Sequence, residues 1–151
     1  MAFILDYNLA KTKIREIISK DYNDKLKELV NFLYENFEHY SWIGIYVIKD
    51  KHLVLGPWIG PHATEHTKIP VGKGICGSAA ATGKTELVDD VKSDSRYLSC
   101  FISTKSEIVV PIIKDGKVLG EIDIDSDKKE AFSKDDKMFL ERIADMLAEH
   151  I

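Results

Sequence analysis

Cysteine is scarce in this chain: Cys76 and Cys100 are the only two among 151 residues. Two thiols exclude a disulfide-stapled scaffold. The N-terminus, Met1 to Asp6, is too short and too soon acidic for an export signal, so the cytoplasm is the expected compartment. There, any bond between the two thiols is expected to be transient and redox-active. Long apolar runs are also missing: none approaches the ~18 residues of a membrane span. Basic charge is not in excess, since 21 Lys and Arg face 25 Asp and Glu for a formal net charge of −4. With no cluster of Lys and Arg, a nucleic-acid-binding surface is excluded. Linkers, repeats and low-complexity tracts are absent. What is present is ordinary globular material, 44% hydrophobic and 30% charged, enough for one domain over residues 1–151 with one sizeable core.

Hydrophobic spacing sets the expected elements. Leu9, Ile14, Ile17 and Ile18 mark one side of a first helix over residues 8–20. Asn23 or Asp24 caps a second, with Leu26, Leu29, Val30, Leu33 and Phe37 at helical spacing. The period then changes to that of a hairpin: Trp42–Ile48 out, Lys49–Lys51 turning, His52–Gly56 back. Gly56-Pro57 and Gly60-Pro61 mark turns in a loop-rich middle. A glycine-rich turn, Gly72–Gly77, feeds a short helix over Ser78–Thr82 stopped by Gly83, and Thr85–Val88 is briefly extended. Residues 89–104 read as polar and irregular. Glu107–Ile113 and Val118–Asp125 form a second hairpin around Asp115-Gly116. Ser133 and Asp136 resemble a capping box for a last helix with Phe139, Leu140, Ile143, Leu147 and Ile151 on one face. The expected fold is α+β, a central antiparallel sheet flanked by helices.

Several motifs bear on chemistry. His62-Ala63-Thr64-Glu65-His66 matches an inverted zinc-protease pattern but lies between Gly60-Pro61 and Ile69-Pro70, too short for the helix that pattern needs, and is rejected. Gly72-x-Gly74-x-x-Gly77 matches the dinucleotide fingerprint without its strand-helix-strand context. Its physical content survives, because a glycine turn entering a helix offers backbone N–H groups to an anion, carboxylate as well as phosphate. A plain tight turn is the competing reading. In Glu121-Ile122-Asp123-Ile124-Asp125, alternation puts three acids on one face. Exposed, they are a solvated surface; lining a pocket, they raise one another's pKa, hold a cation and let one carboxyl donate a proton. The hairpin brings Glu107 towards Asp125. Trp42 and Tyr46 share a strand face, as core or as pocket wall. Cys76 and Cys100 are a redox pair, part of a metal site or core filler. Cys76 lies near a helix N-terminus, whose dipole favours a thiolate. His66, Cys76 and Cys100 do not supply a zinc site at standard spacing, so no metal is expected.

As an ordered set, these residues resemble the free methionine-(R)-sulfoxide reductase family, single-domain enzymes of the GAF fold. The resemblance is carried by Ser41–Tyr46, Gly56–Gly60, Lys68–Gly77, Ser106–Pro111 and Gly120–Ser126. It implies Cys100 as nucleophile, Glu107, Asp123 and Asp125 in the substrate site, and Trp42 and Tyr46 as pocket aromatics. Where family members commonly carry a further cysteine this chain has His66, which leaves Cys76 as the intramolecular resolving thiol. That role requires Cα atoms within ~7 Å of each other or a loop that moves.

From this follow further expectations. Cys100 attacks the sulfoxide sulfur while Glu107 or Asp125 protonates the oxygen, and Cys76 then closes a disulfide on the sulfenic acid. Asp123 holds the substrate ammonium, the N–H groups around Gly74, Ile75 and Cys76 hold its carboxylate, and Trp42 packs on the S-methyl group. No cofactor is expected beyond an external thiol reductant of the thioredoxin type, and the terminal helices leave apolar faces compatible with a homodimer. A GAF domain that senses a small molecule without catalysis, or a thiol-redox sensor, are the competing classes.

Overall fold

A computed structural model describes residues 6–20, 24–98, 101 and 103–151. Two helices, α1 (Tyr7–Ser19) and α2 (Lys25–Asn36), lead into strands β1 (Trp42–Lys49), β2 (His52–Ile59) and β3 (Lys68–Pro70). Helix α3 (Gly74–Thr82), strands β4 (Glu86–Val88), β5 (Ser106–Lys114) and β6 (Lys117–Ser126), and helix α4 (Lys134–Ala148) follow. The six strands form one antiparallel sheet in the order β3-β2-β1-β6-β5-β4. No helix among the described residues is long and apolar enough to cross a membrane.

Alternation along the central strands divides the sheet into two unlike faces. Ile43, Ile45, Ile108, Val110, Ile112, Ile122 and Ile124 point to one side and pack with α1, α2 and α4. The other side carries α3 and a smaller apolar cluster of Leu53, Ile69, Ile75, Ala79, Val91 and Val109. Both hairpins turn on two residues of positive φ, Asp50-Lys51 and Asp115-Gly116, the geometry that matches strand twist. The capping box of α4 is complete: Asp136 N–H donates to Ser133 Oγ and Ser133 N–H donates to Asp136 Oδ2.

Five expectations need correction, the first being Ile151, which lies beyond the end of α4 at Ala148 and is exposed. Leu9 is 48% exposed and Ala10 takes its place in the core, because the buried stripe of α1 runs through Ala10, Ile14, Ile17 and Ile18. Strand β2 continues through Gly56-Pro57 rather than turning there. The register slips between Gly44 and Tyr46, so Gly56 and Pro57 face the single residue Ile45 in a bulge, where a proline without an N–H is tolerated. Lys68–Pro70, expected as loop, is a short edge strand against His52–Val54. Helix α3 begins at Gly74, four residues before Ser78, so the glycine-rich turn supplies its first turn; it ends as expected on Gly83 in the left-handed region.

Candidate active site

The acidic residues of β6 face the α3 side of the sheet. Across the central strands, Glu121 pairs with Tyr46, Asp123 with Gly44, and Asp125 with Trp42. On the other flank Asp125 pairs with Glu107, the juxtaposition the hairpin foreshadows. Register therefore assembles one patch of Trp42, Tyr46, Glu107, Glu121, Asp123 and Asp125, and all six side chains are buried. The exposed-surface reading of the acids is excluded. Gly44 and Gly60 make room for the aromatic end: a Cβ at either position would run into the indole of Trp42. That indole stacks on Trp58 at 6.2 Å between ring centroids and meets Phe101 at 5.9 Å. Its buried N–H has no acceptor among the described residues. Tyr46 donates its hydroxyl to the backbone carbonyl of His66 at 2.8 Å.

Helix α3 lays Cys76 onto this patch. Its thiol donates to Asp123 Oδ2 at 3.3 Å and approaches Glu107 Oε2 at 3.9 Å. The helix-dipole expectation of a thiolate is overturned. Burial, then the charges of Asp123, Glu107 and Glu121, push the Cys76 thiol well above its ordinary range, so it is held protonated. The N–H of Gly77 is taken by the Lys73 carbonyl. The three preceding N–H groups, at Gly74, Ile75 and Cys76, belong to the first turn of α3 and have no carbonyl four residues back inside the helix.

Burial raises all four carboxyls, but unequally. Glu107 is pushed well up by burial and by the charges of Asp123 and Asp125. Asp125 is pushed well up by burial and Asp123, against hydrogen bonds from Glu107 and Thr104. Glu121 is raised by burial and Asp123, with the nearby Cys76 thiol pulling it back. Asp123 is raised by burial too, yet it receives hydrogen bonds from both Glu107 and Cys76. The charge of Asp123 pushes up both Glu107 and Asp125, whereas burial alone pushes Asp123 up, so Asp123 ionises first. The arrangement favours an Asp123 carboxylate with Glu107 and Asp125 as neutral acids.

Two small cavities flank the row, each of ≈ 20 Å³. One lies at Trp42, Phe101, Thr104 and Asp125; the other at Tyr46, His66, Cys76, Leu98 and Asp123. Each has room for a single water, about 10–15 Å³, and not for an amino acid. Cys100 lies outside the described residues. Its described neighbours Leu98 and Phe101 each border one of these cavities.

Sequence reasoning gave Glu121 no role beyond sharing the acidic face. It is fully buried, and among the described residues no hydrogen bond of normal geometry reaches either carboxylate oxygen. Its alternation with Ile122 was the available signal. The grouping of Cys76 with Glu107 and Asp123 left no trace in spacing, since it joins α3, β5 and β6. His62–His66 is not helical, consistent with rejecting the protease pattern.

With this geometry in place, the chain can be compared with known proteins. Residues 21–151 match the GAF domain model. The free methionine-R-sulfoxide reductase of Escherichia coli is 31% identical over 147 residues, covering 91% of this chain and 88% of that protein. A solved type II free methionine-R-sulfoxide reductase from Thermoplasma acidophilum is 40% identical with a TM-score of 0.81, covering 90% of this chain and 93% of that one. The chain belongs to the free methionine-R-sulfoxide reductase family. A further structure of that family, from Neisseria meningitidis and in complex with its substrate, has a TM-score of 0.90 at 31% identity, over 98% of this chain and 92% of that one. Membership gives the buried acids a context: within this reductase family they are candidates for substrate binding and proton transfer rather than for a generic sensor pocket.

Proposed function

We propose that the protein reduces free L-methionine-(R)-sulfoxide to methionine by thiol chemistry. The observation that carries this reading is the buried row Glu107, Asp123 and Asp125 beside a buried thiol, with unpartnered carboxylate oxygens on Asp123 and Asp125. Burying unpaired carboxyls is costly, and a ligand cation offsets that cost. The substrate's ammonium supplies the cation at Asp123. Its carboxylate meets the first-turn N–H groups of Gly74, Ile75 and Cys76, where peptide dipoles favour an anion. Trp42 packs on the S-methyl group, with Tyr46 closing the wall. A methionine sulfoxide within a polypeptide has neither free charge, so the free amino acid is preferred.

In the chemical step the Cys100 thiolate attacks the sulfoxide sulfur. Glu107 or Asp125, neutral through burial, transfers its proton to the sulfoxide oxygen. The oxygen passes to the Cys100 sulfur as its bond to the substrate sulfur and the transient sulfur–sulfur bond both break, so methionine leaves with two more electrons and Cys100 is left as a sulfenic acid. The Cys76 thiol then loses its proton to the Asp123 carboxylate it already faces at 3.3 Å, now free of ammonium. Its sulfur displaces hydroxide from Cys100, which departs as water on taking up a proton, and a disulfide remains. A thioredoxin-type dithiol restores both thiols. The high pKa of Cys76 supports this division of labour, since a thiol held protonated is a poor first nucleophile. Neither a cofactor nor a stable metal enters this cycle, and a cytoplasmic setting suits its reductant.

The reduced protein, incubated separately with the (R) and (S) epimers, should release methionine from (R) only and lose two thiols per methionine. Cys100→Ser should abolish turnover, whereas Cys76→Ser should still release one methionine per chain. Full multi-turnover activity in Cys100→Ser would refute the assignment. No methionine from either epimer would return the protein to the sensor class.

A further inference from the structure

Cys76, Glu107 and Asp123 each present one ligand atom, and the three atoms lie within 4.8 Å of one another. The thiol sulfur is 3.3 Å from Asp123 Oδ2 and 3.9 Å from Glu107 Oε2. A tetrahedral zinc ion, with Zn–S of about 2.3 Å and Zn–O of about 2.0 Å, holds sulfur and oxygen ligands about 3.5 Å apart. The observed separations bracket that value, so a metal fits with shifts of a few tenths of an ångström. The ≈ 20 Å³ cavity beside Cys76, Glu107 and Asp123 exceeds the about 10–15 Å³ one water needs. Glu121 adds an independent observation. It is fully buried, shares a strand face with Asp123, and has both oxygens without hydrogen-bond partners. A buried carboxyl with no partner costs on the order of 1–3 kcal/mol, and the charge of Glu121 reaches the Cys76 thiol, so it adds negative potential beside the three ligand atoms.

We propose that the reduced, substrate-free protein binds one Zn²⁺ through the Cys76 thiolate, Asp123 and Glu107, with a solvent molecule as the fourth ligand and Glu121 beside the site, and that this ion is a reversible inhibitor. On binding, Cys76 gives its thiol proton to solvent and a sulfur–zinc bond replaces the sulfur–hydrogen bond, with no change of oxidation state. The metal also masks the thiol from oxidation. Metal binding stands on these three ligands with Glu121 beside them; competition with substrate rests on the function proposed above, because the ion occupies the seat assigned to the ammonium.

The test is a zinc titration of phosphine-reduced protein against a chromogenic zinc indicator. One ion per chain is expected. Cys76→Ser and Asp123→Asn should each raise Kd by at least about tenfold, with thermal melting confirming that the variants fold. Cys100→Ser should bind as the unmodified chain does. Cobalt serves as a second probe that needs no altered core: Co²⁺ should give a thiolate-to-cobalt charge-transfer band in unmodified and Cys100→Ser protein alike. Absence of that band, its loss in Cys100→Ser, or zinc affinity unaltered in folded Cys76→Ser overturns the site. Added methionine sulfoxide should displace the metal. If it does not, while Cys76 is still required, the metal site stands and the substrate assignment fails. If the enzyme turns over methionine sulfoxide but binds no zinc, the metal site alone fails.

Discussion

Asp136 and Glu121 are both buried carboxyls, on opposite sides of the same sheet, and their surroundings drive them in opposite directions. Asp136 sits at the start of α4. Its Oδ1 receives Tyr40 Oη at 2.7 Å, His39 Nε2 at 3.0 Å and Tyr7 Oη at 3.2 Å, and its Oδ2 receives the Ser133 N–H and hydroxyl. Burial pushes its pKa up, but the hydrogen bonds from His39, Ser133 and Tyr40 outweigh it and hold the carboxyl at about 2. Glu121, with no partner at either oxygen, is pushed well up instead. One carboxyl is completed by its neighbours; the other has no hydrogen bond of normal geometry among the described residues. Burial alone therefore does not mark a functional acid. Burial without partners does, and in this chain it falls on the face that carries Cys76, Glu107 and Asp123.

The contrast can be broken from the Asp136 side with the largest effect. Asp136→Ala removes the α4 cap and leaves the Tyr40 and Tyr7 hydroxyls buried without an acceptor. A loss of about 3 kcal/mol is expected in denaturant unfolding. Acid should do nearly as much. Asp136 has a folded pKa depressed from 3.8 to about 2, so its contribution is complete above the unfolded value and is lost as pH falls through the folded one. The cost is on the order of 2 kcal/mol, read as a drop in melting temperature between about pH 4 and pH 2. The opposite face has the opposite sign. Glu107, Glu121, Asp123 and Asp125 have folded values above their unfolded ones. Ligand-free stability should thus fall as pH rises upward from the unfolded carboxylate range. Glu121→Gln should sharpen this by raising neutral-pH stability by about 1 kcal/mol while flattening the alkaline side of the profile. Unchanged stability in that variant would mean Glu121 is already satisfied.

The comparison also explains what the sequence made legible. Alternation in Glu121–Asp125 announces an acidic face, the Asp115-Gly116 turn fixes Glu107 opposite Asp125, and Ser133 with Asp136 announces a helix start; all three are local relations. Whether the acidic face is wet or dry depends on α3 arriving from the chain between β3 and β4, a non-local contact that no spacing encodes. The thiolate expected at Cys76 failed for the same reason: a helix N-terminus is visible in sequence, but the carboxyls that surround the sulfur come from two distant strands. At Gly56-Pro57 a strong turn signal yielded to the sheet because a bulge absorbs it. At Leu9 the helical stripe was misplaced by one residue, since Ala10 is too small to stand out in a hydrophobic pattern.

The central claim is that the unpartnered acids exist to receive an amino-acid ammonium group. Its most direct measurement compares kcat/KM for free L-methionine-(R)-sulfoxide with that for the N-acetylated compound, which keeps the sulfoxide and the carboxylate but loses the positive charge. A charge-assisted hydrogen bond worth on the order of 2–3 kcal/mol predicts at least about a thirtyfold preference for the free amino acid. Asp123→Asn should shrink that preference chiefly through KM. Equal kcat/KM for the two compounds in the unmodified protein would contradict the claim.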